Sequence, residues 1–225
     1  MEQQVRISEL LDLSHTLAAD YLAGFEYPWQ ALPGIGEVIC RIGETLPADA
    51  YDHPRPGVWI HKTAEIAPSA YIGEQVIIGA GTQVRHGAYI RGAALVGDGA
   101  VVGNSAELKN VILFDGVQTP HYNYVGDSIL GYKAHMGAGS ITSNVKGDKS
   151  QVVVRCGQTL LPTGLKKFGA ILGDFAEIGC NSVLNPGTVI GRHTQVYPLS
   201  MVRGVVPPGS IYKQAGEVVL RRETL

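Results

Sequence analysis

The chain has 225 residues, of which 45% are hydrophobic and 17% charged, with a formal net charge of −2 at pH 7. This hydrophobic content suffices for one sizeable packed core and excludes global disorder. The near-neutral charge gives no reason to expect nucleic acid or an anionic membrane as a partner. With 29 glycines and 12 prolines, the composition indicates many tight turns and favours an all-β protein over a helical one.

The N-terminus and the cysteines indicate the compartment. The opening residues MEQQVRISELL contain no apolar stretch long enough for a signal peptide, and no run approaches the roughly 20 apolar residues that cross a membrane. Cys40, Cys156 and Cys180 are widely spaced and form no CxxC pair, which disfavours a disulfide framework or a zinc site. We therefore expect a soluble cytoplasmic protein.

Residues 1–58 are predicted to form a helical cap followed by a proline-rich linker. Ser8 can cap a helix, and a rough helical stripe follows it. The stripe consists of Ile7, Leu10, Leu11, Leu17 and Leu22, and prolines at 28, 33, 47, 54 and 56 come next. We expect the helix to cap or flank the domain that follows and to cover apolar surface there. A role in partner binding is the alternative.

From residue 59 onward, large apolar residues recur at every sixth position. A three-sided coil of short strands needs one bulky aliphatic per side, small residues at the bends, and glycine where other residues would be strained. The pattern therefore predicts a left-handed parallel β-helix of hexapeptide repeats at 59–225, with about 18 residues per coil. Ordinary strands alternate with period two and do not keep such a phase. The first run is Ile60, Ile66, Ile72, Ile78, Val84, Ile90, Val96, Val102, Leu108 and Phe114.

The phase is predicted to break at Pro120 and to resume at Leu130 and Met136. Residues 143–169 fit no hexad and contain the valines 152–154, so we predict an inserted loop, with a small hairpin, that projects from the prism. Loops that interrupt a solenoid often carry functional residues. The pattern then returns at Leu172, Ile178, Leu184, Ile190, Val196 and Val202.

Polar residues concentrate around the predicted break. Arg91 and Lys109 each follow an aliphatic and lie one coil apart, so both should emerge from the same side on adjacent coils, where two cations suit a phosphate. Arg85 and Arg203 also follow an aliphatic, so solvation of an ordinary surface is the alternative. His121 lies at the break, and an imidazole can act as a general base near neutral pH. An isolated histidine is, however, more often a surface or packed residue.

Taken together, these residues resemble the acetyltransferase half of the bifunctional N-acetylglucosamine-1-phosphate uridyltransferase / glucosamine-1-phosphate acetyltransferase family. The resemblance covers roughly residues 60 to 205 and includes the strings His121-x-x-Tyr124-Val-Gly-Asp127 and Gly137-Ala-Gly-Ser-Ile-Thr-Ser-Asn144. It also includes Arg91, Asn104, Glu107 and Lys109 at the family spacing.

The resemblance implies transfer of an acetyl group from acetyl-coenzyme A to the amine of an amino-sugar phosphate, with small molecules as substrates and without a metal. It makes His121 the general base with Glu107 beside it, and it places Ala138 and Cys180 at coenzyme A positions. Family members are homotrimers with sites between subunits. The sugar phosphate would contact Arg91, Lys109, Tyr124 and Asn144.

This chemistry is consistent with the residue types. The amine must lose a proton as it attacks the thioester, and His121 can accept that proton. Glu107 could hold the ring tautomer, and backbone N–H groups of the Gly137-Ala-Gly139 turn could face the developing oxyanion. Direct transfer needs no nucleophile, so Cys180 need not be reactive.

The sequence departs from the family at several positions. His135 stands where the family has a substrate-side asparagine, and Lys149 is the nearest candidate for a second family lysine. The stretch with Lys166 and Lys167 is similar to stand-alone and archaeal relatives, and we expect it to alter a contact with the substrate or cofactor. No nucleotidyltransferase domain precedes the prism, so uridyl transfer is not expected.

Two other functions stay open on the sequence alone. A γ-class carbonic anhydrase-like enzyme would need three histidines at a zinc ion; His86 and His121 are present, but Gly126 lies where a third ligand would be. A non-catalytic module that binds or senses a sugar phosphate or nucleotide sugar is favoured by the change at His135. Fold alone does not separate these functions.

Overall fold

In a computed structural model, which describes residues 2–213 and 218–220, short strands stack coil upon coil into a three-sided parallel β-solenoid. This confirms the predicted repeat architecture. The strand pairings do not give the hand of the coil, so left-handedness stays a prediction. The C-terminal end of the predicted domain, residues 221–225, lies outside the described residues.

Side 1 carries the residues after the bend in each of four long strands, and side 3 carries the residues before it. The long strands are Tyr71–Ile78, Tyr89–Val96, Glu107–Leu113 and Tyr124–Leu130. Side 1 also contains Val58–His61, Ala170–Leu172, Thr188–Ile190 and Val205–Val206, and side 3 continues through Ile141–Thr142, Val183–Leu184 and Met201–Val202.

Side 2 is a separate sheet of short strands. It consists of Glu65–Ile66, Gln83–Val84, Val101–Asn104, Gln118–His121, His135–Met136, Glu177–Ile178, Gln195–Val196 and Ser210–Tyr212. Antiparallel strands Tyr51–Arg55 and Val218–Leu220 extend the first and last coils. One residue per coil at each corner has a positive φ, which reverses the chain direction sharply; Asn110, Tyr122 and Lys133 are examples.

The coil shortens from 18 to 17 residues within the first run. Val96 pairs with Leu113 rather than with Phe114, because a register shift between Ile90 and Gly92 places Lys109 opposite Gly92. The predicted phase break at Pro120 is therefore misplaced, since the shift occurs one coil earlier. Its cause is an extra residue at the corner after Ile90, which the next coil omits.

The N-terminal part is helical, although its elements differ from those predicted. The α-helices span Ile7–Leu10, Ala19–Leu22 and Ile35–Gly43, and the 3₁₀ helices span Glu2–Val5, Leu13–His15 and Pro28–Gly34. The helix Ile35–Gly43 lies where the sequence predicts a linker. Pro33 precedes this helix and Pro47 follows it, so the prolines bound the helix and do not disrupt it. Of the described helices, none is sufficiently long and apolar to cross a membrane.

The N-terminal part covers side 1 along the solenoid axis. The outward residues Ile77, Leu95 and Ile112 are as completely buried as the inward ones, because the helix Ile35–Gly43 packs on the strands that carry them. Near the other end, the Asp12 N–H donates to Asp174 Oδ2 at 2.8 Å. The segment therefore flanks several coils, so each strand of side 1 is apolar on both faces.

The insertion between residues 143 and 169 contains the predicted hairpin, Val153–Cys156 paired with Thr159–Pro162. Val152 and Val154 are fully buried, so the hairpin packs against the solenoid. The hairpin backbone approaches Gly187 and Gly204 so closely that a Cβ on Gly204 would lie 2.8 Å from the Arg155 carbonyl oxygen. These two glycines permit the docking.

Replacing Gly204 with alanine should lower the free energy of unfolding by about 2–4 kcal/mol, because the φ of 82° and the contact with Arg155 both oppose a Cβ. Gly209 is a matched control, since its φ is 62° and nothing lies within 4 Å of its Cβ position. Gly209→Ala should cost about 1 kcal/mol. Equal losses in urea unfolding would show that the hairpin is not held by this contact.

Candidate active site

The residues that the resemblance selects lie on side 3 and on its two corners. The corner between sides 3 and 1 carries Lys109, Asp127 and Asn144, and the insertion leaves the solenoid there. The corner between sides 2 and 3 carries His121 and Ala138. Because side 1 is covered by the N-terminal part, side 3 presents these residues on an open surface.

Asp127 is the centre of the first cluster. Its Oδ1 accepts hydrogen bonds from Lys109 Nζ at 2.9 Å and from Asn110 Nδ2 at 3.0 Å. Its Oδ2 accepts a bond from Asn144 Nδ2 at 2.5 Å. The carboxylate is 3% exposed, and such burial is tolerated because donors surround it. The sequence reasoning quoted Asp127 in the motif but assigned it no role.

Tyr124 joins this cluster through Asn144, whose Nδ2 donates to the Tyr124 hydroxyl at 3.2 Å. Burial is the largest cause that raises the pKa of Tyr124, and the carboxylates of Asp127 and Glu107 add to it. The phenol therefore stays protonated near neutral pH and can donate a hydrogen bond to a ligand.

Arg91 and Lys109 are not stacked as predicted. The register shift places Lys109 opposite Gly92, and each cation has its own carboxylate. Arg91 Nη1 lies 3.2 Å from Glu107 Oε1 in a partly exposed pair, whereas Lys109 is paired with the buried Asp127. Both remain on side 3 in adjacent coils, so they can still contact one ligand, but neither cation is without a counter-charge.

His121, Ala138 and Cys180 form a column along the other corner. The Gly139 N–H donates to the His121 carbonyl at 3.0 Å, and the Asn181 N–H donates to the Ala138 carbonyl at 2.8 Å. The side chains of His121 and Cys180 are exposed. The column therefore aligns, parallel to the solenoid axis, the predicted base and two predicted cofactor residues.

Two details of the predicted chemistry change in this column. The Gly137 and Gly139 N–H groups already donate to the carbonyls of Ile178 and His121, so they do not serve an oxyanion in this structure. Within residues 2–213 and 218–220, the His121 ring has no hydrogen bond to Glu107, which instead binds Arg91. That Glu107 orients the ring stays a prediction.

The lysines predicted on the insertion are solvent-exposed. Lys149, Lys166 and Lys167 make no side-chain hydrogen bond to the cluster in the described part of the chain. His135 lies on side 2, where its Nδ1 is 2.8 Å from Glu177 Oε2. Within one chain, His135 is thus separated from side 3 by the corner that carries Ala138.

A pocket of about 470 Å³ lies between the insertion and side 3, and the sequence reasoning did not identify it. Its walls combine cationic, polar and aliphatic side chains from the first arm of the insertion, the hairpin and the corner between sides 3 and 1. They include Lys146, Arg155, Leu160, Asn185, Pro186 and Arg203. Across the described ranges, no group of three or more His, Cys, Asp or Glu residues could hold a metal ion.

Replacing Asp127 with alanine should lower the free energy of unfolding by about 3–5 kcal/mol, because it leaves Lys109 and two amide groups without their acceptor. Glu107→Ala removes the partly exposed partner of Arg91 and should cost at most about 1 kcal/mol. Thermal or urea unfolding measures both. Similar small losses for the two variants would contradict a structural role for the buried carboxylate.

No family model matches the chain. A bifunctional sugar-1-phosphate nucleotidylyltransferase/acetyltransferase of Sulfurisphaera tokodaii is 32% identical over 108 residues, which is 48% of this chain and 27% of that protein. The bifunctional protein GlmU of Methanococcus maripaludis is 31% identical over 118 residues, 52% of this chain and 28% of that protein. This chain is similar to part of these bifunctional proteins. The resemblance stated from the motifs is thereby confirmed for about half of the chain.

The matched segment is little more than a quarter of the length of these relatives. Among solved structures, a single-site mutant of AntD, an N-acyltransferase from Bacillus cereus, is 18% identical to this chain. The alignment covers 75% of this chain and 82% of that one, with a TM-score of 0.41.

Proposed function

We propose that this protein transfers an acetyl group from acetyl-coenzyme A to the amine of an amino-sugar phosphate of the glucosamine-1-phosphate class. The observation that carries the proposal is the cluster of Lys109, Tyr124, Asp127 and Asn144 on side 3, with His121 exposed on the adjoining corner. The names of the bifunctional relatives, which include sugar-1-phosphate and acetyltransferase, support the same reaction class.

In the proposed reaction, the amine nitrogen attacks the thioester carbonyl carbon. A C–N bond forms, the C–S bond breaks, and the thiolate of coenzyme A leaves. His121 accepts the proton that the amine loses and can return it to the leaving sulfur. The products are an amide and free coenzyme A, so no metal or covalent enzyme intermediate is needed.

The remaining predicted residues would hold the two substrates. The Tyr124 hydroxyl and the Asn144 amide can bond the sugar, while Arg91 and Lys109 contribute positive charge beside it. We place coenzyme A along the corner of Ala138 and Cys180, with Lys166 and Lys167 as candidate contacts for its phosphates. In a homotrimer, which the resemblance implies, a neighbouring subunit would complete this open site.

The proposal is tested by measuring release of the coenzyme A thiol with a panel of acceptors. Glucosamine-1-phosphate and galactosamine-1-phosphate should support thiol release, while unphosphorylated glucosamine should react much more slowly. Mass spectrometry of the product should show one acetyl group on nitrogen. Ligand binding without any thiol release would instead favour the non-catalytic sugar-phosphate module.

A further inference from the structure

Two arginines on the walls of the 470 Å³ pocket have no counter-charge. Arg155 extends from the hairpin, and Arg203 follows Val202 on side 3; both are exposed. Throughout residues 2–213 and 218–220, neither guanidinium makes a hydrogen bond or ion pair with another side chain. A guanidinium presents several donors in a planar fork that matches phosphate geometry.

The other cations near side 3 differ in this respect. Arg91 is paired with Glu107, and Lys109 with Asp127. Within the pocket, Lys146 lies 3.5 Å from Asp148, so these two charges largely offset each other. The uncompensated positive charge of this face is therefore contributed by Arg155 and Arg203.

The hairpin docking brings these two arginines together. Gly204, next to Arg203, lies so close to the backbone of Arg155 that only the absence of a side chain permits the contact. Alternation along the hairpin strand buries Val152 and Val154 and turns Val153 and Arg155 toward the pocket. The two guanidiniums are therefore on neighbouring, well-packed segments.

The pocket is also continuous with the cluster on side 3. Ser143 lines it, and the next residue, Asn144, binds both Asp127 and Tyr124. Its volume lies within the roughly 300–1,000 Å³ of small-molecule sites, and Leu160 and Pro186 supply the apolar surface that such sites need.

We propose that Arg155 and Arg203 bind the phosphate of an organophosphate ligand whose remainder extends toward Asn144 and Tyr124. This inference rests on the proposed function and revises it: the phosphate is recognised by the insertion pocket, not by Arg91 and Lys109. Two substrates carry such a group, namely the amino-sugar phosphate and coenzyme A.

Calorimetric titration tests the inference with paired probes: glucosamine-1-phosphate against glucosamine, and coenzyme A against dephospho-coenzyme A. Arg155→Gln and Arg203→Gln should each weaken binding of one phosphorylated probe by about tenfold or more. Neither change should alter binding of its partner that lacks the phosphate. The affected pair identifies which substrate occupies the pocket.

Arg85→Gln is the matched control, since Arg85 is an exposed arginine on side 2 that bonds only Gln83. It should leave every affinity unchanged, and equal unfolding midpoints should show that all variants are folded. Unchanged affinities in Arg155→Gln and Arg203→Gln, or no binding of either phosphorylated probe by the unsubstituted protein, would overturn the inference. Arginine-dependent phosphate binding without thiol release would refute the acetyl transfer and leave the pocket assignment standing.

Discussion

Replacing His121 with alanine should slow acetyl transfer by about 10²–10⁴-fold, the contribution expected of a positioned general base. The side chain is exposed at the corner between sides 2 and 3, so its loss leaves no cavity. The unfolding midpoint should therefore change little. Steady-state thiol release at saturating acceptor and acetyl-coenzyme A measures the effect.

His61→Ala provides the control for this prediction. His61 is at the end of a side 1 strand in the first coil, where it bonds Thr63 at 2.9 Å, far along the chain from the cluster. It should retain the rate of the unsubstituted protein. If His121→Ala also retains that rate, the base must be another group, and the alignment of His121 with Ala138 and Cys180 has no catalytic meaning.

Replacing Trp29 with alanine should lower the free energy of unfolding by about 3–5 kcal/mol, the usual cost of removing a buried aromatic side chain. Trp29 is 2% exposed and stacks on Tyr27 and Phe168, with ring centroids 4.7 and 5.9 Å apart. The substitution should loosen the N-terminal part from side 1 and from the end of the insertion.

Leu17→Ala is the control for Trp29→Ala, because Leu17 lies in the same N-terminal part but is 44% exposed. It should change stability by no more than about 0.5 kcal/mol. Urea unfolding compares the two, and binding of a hydrophobic dye should rise only in Trp29→Ala as side 1 becomes uncovered. Equal stabilities would mean that the N-terminal part is not energetically coupled to the solenoid.

The solenoid was predictable because its inward column repeats with little change along the chain. The covered face was missed, although its signal is visible in the sequence. Hexads on side 1 contain three consecutive apolar residues, as in 76–78, 94–96 and 111–113. A strand with one buried face needs an apolar residue only at alternate positions. The middle residue of each triplet therefore indicated a second covered face.

The motif spacing predicted the residues of the candidate site but not their partners. Whether Lys109 faces Arg91 or Gly92 depends on one extra residue at a corner, which leaves the apolar spacing around Ile90 unchanged. The role of Asp127 depends on three donors that converge only after the coils stack. The pairing of Arg155 with Arg203 in one pocket depends on how the hairpin docks, which no local pattern records.

The N-terminal part also has a consequence for how the fold can change in evolution. A repeat protein can usually gain or lose whole units, because each unit contacts only its neighbours. Here one segment bonds Asp174 through Asp12 at one end and packs the helix Ile35–Gly43 on the coils of Ile77 and Leu95 at the other. Insertion or deletion of a single coil between these anchors would break one of them. The number of coils is thus fixed by the length of a non-repetitive segment.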